Sequence, residues 1–124
     1  MSNQLAVLFP GIGYHIDKPL LYYSAKLARA RGYDLLAVQY PALPTGLRGH
    51  AEKIEQAVQT ALSAAEEQLT AIDWTAYDRV FFLSKSIGTA IAARYAVQHN
   101  IHPRQVYYTP IEHALPYLDP TGIA

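Results

Sequence analysis

The 124-residue chain contains no cysteine. That absence excludes a disulfide framework, a thiolate metal site and a cysteine nucleophile. It also has no excess of one charge: ten basic residues balance ten acidic ones. Without a clustered basic surface, an electrostatically driven nucleic-acid or membrane-surface partner is not expected. Long apolar runs are missing as well. The N-terminal Met1-Ser2-Asn3-Gln4 carries no basic segment, and the apolar run at residues 5–9 is too short for a signal peptide or a membrane span. A cytoplasmic protein is therefore expected. No internal repeat, linker or low-complexity tract is visible. No histidine pair has H-x-x-x-H or H-E-x-x-H spacing, so no metal is expected.

What is present is one domain, residues 1–124, with 51% apolar and 16% charged residues, the balance of a soluble globular protein. The length suffices for a single core but is small for an enzyme. Buried-strand patterns occur at residues 5–9, 35–40, 80–83 and 105–109. Helical patterns lie between them, at residues 18–31, about 49–72 and 89–96. The first helix is expected to start at Asp17 with Pro19 in its first turn and to end at Gly32. The second carries an apolar stripe of Ala51, Ile54, Val58, Ala61, Leu62, Ala65 and Leu69. Its charges, among them Glu55 and Glu66, read as a solvated face. The tail, 111–120, reads as loop with a short helical turn. Alternation of this kind predicts an α/β three-layer sandwich: four βα units on a mainly parallel sheet, with right-handed crossovers. Ligands in such sheets bind at the carboxyl ends of the strands. Two loops fall there, Pro10-Gly11-Ile12-Gly13-Tyr14 and Ser84-Lys85-Ser86-Ile87-Gly88. They become neighbours if the first and third strands in chain order pair.

The second loop carries the chemistry. An apolar strand, a sharp turn with serine at its apex and a small-residue helix form the layout of a nucleophile elbow. The motif calls for G-x-S-x-G, and this chain offers S-x-S-x-G. Serine is small enough to replace the first glycine, since residues two before and two after the nucleophile nearly touch in so tight a turn. A serine here has a bland alternative, as the N-cap of the helix. As a nucleophile, Ser86 needs a general base oriented by a carboxylate, and donors for the oxyanion. The backbone N–H of Ile87 is one donor, and the N–H of Ile12 or Gly13 is the other. Gly11-Ile12-Gly13 is a poor phosphate-binding turn: Ile16 stands where the dinucleotide fingerprint needs glycine.

Leu8-Phe9-Pro10-Gly11-Ile12-Gly13-Tyr14, the Asp17-Lys18-Pro19 helix start, Ser84-Lys85-Ser86-Ile87-Gly88-Thr89 and Tyr108-Thr109-Pro110 together resemble small bacterial α/β-hydrolase-fold proteins. The resemblance spans nearly the whole chain in order, matching the third to sixth strands of that fold. It implies a serine hydrolase acting on an ester, thioester or related acyl bond of a small molecule, with no cofactor. Ser86 is then the nucleophile, and Ile12 and Ile87 supply the oxyanion hole. Gly11, Gly13, Tyr14, His15 and Lys85 are candidates to line the site. In that superfamily the acid follows the next strand and the histidine follows the last. Here the chain ends at Thr121-Gly122-Ile123-Ala124, so it reads as an N-terminal portion without the usual positions of either partner. Glu112, after the fourth strand, is a candidate acid, although a loop carboxylate is the simpler reading. Neither His15 nor Lys85 is expected to be the base. His50, His99 and His102 read as surface or capping residues; His113 is left open. Tyr22 and Tyr23 are candidates either for an acyl pocket or for the core edge. The alternative function is a non-catalytic or degenerate binding module of the same fold. An uncovered sheet edge at the fourth strand is expected to favour a homodimer.

Overall fold

The computed structural model of the chain describes residues 4–11, 19–40, 50–108 and 111–117. Among the described residues four strands alternate with three helices: β1 (Gln4–Phe9), α1 (Pro19–Ala30), β2 (Asp34–Ala37), α2 (Ala51–Leu69), β3 (Arg79–Lys85), α3 (Ile87–Gln98) and β4 (Arg104–Tyr108). Short 3-10 turns at Trp74–Ala76 and Glu112–Tyr117 precede β3 and follow β4. These four strands are parallel, in the order β2-β1-β3-β4. The expected three-layer α/β sandwich is the observed fold, and the first and third strands do pair.

Alternating side chains of each strand point to opposite faces of the sheet. Leu5, Val7, Phe9 and Phe82 join the buried residues of α2 and α3 in one large core. Ala6, Leu8 and Leu83 form a smaller core with Ala25 and Ala28 of α1. The α2 stripe packs largely as its spacing requires: Val58, Ala61, Leu62, Ala65 and Leu69 are buried and Ile54 is partly so, whereas Ala51 is exposed. Helix α3 is buried continuously from Ile87 to Ala96. Its small residues let it lie close to the sheet.

Several boundaries differ from expectation. Helix α3 begins at Ile87 rather than Thr89, because the turn after β3 is a single residue. Strand β2 ends at Ala37, and only the N–H of Val38, donating to the Leu8 carbonyl, extends its ladder. Gly32 ends α1 as expected: φ is +86°, Tyr33 N–H donates to Ala28 O, and Gly32 N–H donates to Arg29 O. That is a Schellman cap. The predicted start of α1 at Asp17 lies outside the described residues. Among the described residues, no helix is long and apolar enough to cross a membrane.

Candidate functional site: the turn between β3 and α3

Parallel pairing sets Phe9 opposite Ser84 and Ser84 opposite Tyr107, with Lys85 opposite Tyr108. The carboxyl ends of β1, β3 and β4 therefore stand side by side. Ser86 is the single residue between β3 and α3, with φ 55° and ψ −123°. A non-glycine residue at positive φ is strained, and outside the left-handed helical region the cost is of order 1–3 kcal/mol. Such a residue persists only where its surroundings hold it. Here the N–H of Ser86 donates to Tyr108 O at 3.0 Å, carrying the β3–β4 ladder one step past the strand. The Ser86 carbonyl accepts from Thr89 N–H at 2.9 Å and from Thr89 Oγ1 at 2.6 Å. Ser86 holds the N-cap position, but its side chain makes no capping hydrogen bond to α3.

Both flanking small residues have a structural reason. Ser84 is fully buried, and its Oγ donates to Val106 O at 3.3 Å. Gly88 allows the closest approach in the site. A Cβ there would meet the Phe9 carbonyl oxygen and would lie 2.7 Å from Pro10 O. The nearest neighbours that demand glycine are thus the end of β1 and the residue after it, a constraint from another strand that adds to the tightness of the turn itself. Through it, Phe9 and Pro10 lie against the first turn of α3, and the buried Gly11 follows them in the chain. Ile12, Gly13, Tyr14 and His15 fall outside the described residues. The N–H of Ile87 opens α3, where helical geometry provides it no intrahelical acceptor and the helix dipole is positive. No acidic side chain occupies that first turn.

The remaining candidates are placed as follows. Lys85 is the last residue of β3 and half-buried. Glu112 opens the 3-10 turn after β4. His99 stacks on Tyr95 with ring centroids 4.1 Å apart, and its Nε2 lies 3.4 Å from Glu66 Oε1. His113 Nε2 donates to Ala51 O at 3.1 Å. His102 precedes β4, at the end of the strand opposite Ser86. Tyr22 and Tyr23 are exposed and pack edge-to-face on each other, so they reach neither core nor pocket. Among the described residues, no group of three histidine or carboxylate side chains could hold a metal ion.

One interaction was invisible to residue spacing. Arg94, buried in the third turn of α3, grips Glu55 of α2 with its two terminal guanidinium nitrogens, Nη1 and Nη2, at 2.7 and 2.8 Å. Glu55 is therefore not part of a free solvated face. The Arg94 hydrogen bonds, with help from Gln59, lower its pKa from 4.5 to about 2. Arg94 also donates to His113 O at 3.2 Å and lies 5.0 Å from the Tyr117 ring centroid, which ties the turn after β4 to α3.

On the opposite face, the described residues leave part of β3 and β4 uncovered beside α1. A groove of about 1000 Å³ runs there, floored by Phe81, Leu83, Val106 and Tyr108. It reaches the amino ends of the strands at Arg79 and Arg104, and Ser86 does not line it. The Tyr108 hydroxyl meets Ser24 Oγ of α1 at 2.9 Å along its wall. The groove is an unfilled sheet face, distinct from the elbow.

No protein-family model matches the chain, and no curated protein matches it.

Proposed function

We propose that this chain is a serine hydrolase of the α/β-hydrolase type, cleaving an ester, thioester or related acyl bond in a small molecule. The observation that supports it is the conformation of Ser86. A serine that caps nothing is held at φ 55° between a buried parallel strand and a buried helix, with glycine two residues on against the neighbouring strand. Strain of this kind gathers where a side chain has to be presented.

In the proposed reaction, Ser86 Oγ attacks the acyl carbon while its proton passes to a general base, the role a histidine fills in the hydrolases this chain resembles. The Ile87 N–H, at the positive end of α3, and the Ile12 N–H stabilise the oxyanion. Collapse breaks the bond to the leaving group, which takes the proton, and water then releases the acyl group from Ser86. Glu112 remains the candidate acid, and Gly11, Gly13, Tyr14, His15 and Lys85 the candidate lining. The reaction is taken to occur in the cytoplasm. The proposal includes a homodimer through the edge of β4, beside the uncovered groove. Sedimentation at high concentration tests that part, and a clean monomer removes it.

The decisive experiment is labelling with a fluorophosphonate probe, read by intact mass and peptide mapping. The expected result is one adduct on Ser86, absent from Ser86→Ala. No adduct on a folded protein would leave the binding-module reading in its place.

A further inference from the structure

Thr89 stands in the first turn of α3 and is completely buried. Its hydroxyl offers one donor and two lone pairs, and two partners engage it. Oγ1 donates to Ser86 O at 2.6 Å and accepts from Ile111 N–H at 3.2 Å. A threonine hydroxyl that bonds a carbonyl three residues earlier in a helix is a local habit of that side chain. The Ile111 bond is not local. Ile111 lies 22 positions further on, beyond β4, and directly precedes the turn Glu112–Tyr117.

Taken together, the bonds close a frame around the strained serine. Tyr108, the last residue of β4, holds the Ser86 N–H. Thr89 holds the Ser86 carbonyl with its N–H and its hydroxyl, and the same hydroxyl holds the chain leaving β4. Rotation of the peptide after Ser86 would break both bonds from Thr89 to the Ser86 carbonyl.

We infer that Thr89 is a positioning residue whose hydroxyl locks Ser86 in its strained conformation and registers the segment beginning at Ile111 against the elbow. Its effect on reaction rests on the serine-hydrolase reading; its effect on structure does not. An unlocked elbow spends less time in the attacking geometry, and small misplacements of a reacting group cost large factors in rate. The loss falls on the chemical step rather than on probe affinity.

The test compares Thr89→Val, which keeps shape and loses the hydroxyl, with Thr89→Ser, which keeps the hydroxyl. Two quantities are measured: fluorophosphonate labelling of Ser86 against probe concentration, and hydrogen exchange of the Ile111 amide by NMR. Thr89→Val is expected to lower the limiting labelling rate by about tenfold or more, with the half-saturating concentration nearly unchanged. It should also speed Ile111 exchange by roughly tenfold. Thr89→Ser should stay close to the unaltered protein in both. Wild-type labelling and a protected Ile111 in Thr89→Val would overturn the inference. So would equal loss in Thr89→Ser, since the methyl group rather than the hydroxyl would then be responsible. Ready exchange of Ile111 in the unaltered protein overturns it without any variant. If the unaltered protein takes no label, the hydrolase reading fails, and the exchange comparison decides the lock.

Discussion

Helix α3 has a non-glycine residue at positive φ at each end: Ser86 at 55° before it and Asn100 at 51° after it. The two have different causes. Asn100 N–H donates to Val97 O and Ile101 N–H donates to Ala96 O, which is the Schellman arrangement. Asparagine tolerates that position better than most side chains. Helix termination explains it in full. Ser86 has no such account, because its side chain caps nothing and its ψ of −123° lies outside the region where helices end. Its backbone is held from β4 and from Thr89. A positive φ is thus informative when local chemistry does not explain it.

Three changes probe this contrast, beginning with the largest effect. Gly88→Ala forces a methyl group into the backbone of Phe9 and Pro10, which cannot yield as a side chain would. The expected loss is about 3 kcal/mol in denaturant unfolding. A loss below about 1 kcal/mol would mean that α3 is free to move off β1. Next comes a paired comparison. Ser86→Gly should raise stability by about 1 kcal/mol, seen as a Tm increase of roughly 4 °C, by relieving strain. Asn100→Gly should change it by less than about 0.5 kcal/mol, since asparagine already suits its place. Equal effects at the two ends would erase the distinction.

The smallest effect concerns pH. Glu55 has a folded pKa lowered to about 2 by Arg94, so its pairing stabilises the fold fully above the unfolded value near 4.5. That contribution disappears as pH falls from about 4.5 to about 2. Because the Glu55 side chain is 40% exposed, solvent screening keeps the effect modest. Unfolding midpoints across this range should fall less steeply in Glu55→Gln than in the unaltered protein. Parallel slopes would show that the pair does not help to anchor α3.

The two faces of the sheet differ in how far residue patterns disclosed them. Apolar spacing in α2 and the small residues of α3 marked the closed face, because burial has a period that a stripe repeats. Nothing in the runs at 80–83 and 105–109 distinguished a covered face from an open one. Among the described residues α1 is the helix on that side, and the groove over Phe81 and Val106 opens beside it. The elbow was legible as strand, serine turn and helix. Thr89 was read only as the start of a small-residue helix, and Arg94 was given no role, since Ile111 and Glu55, their partners, lie far away in the chain.

Residue order by itself determined the alternation of strands and helices, the Gly32 cap and the serine at a strand-to-helix turn. Each depends on interactions within a few residues, where propensity, apolar period and backbone sterics act. Tertiary structure alone decided that β1 lies beside β3, that Gly88 yields space to β1, and that Thr89 joins Ser86 to Ile111. Those outcomes depend on register between segments that meet only when the sheet assembles.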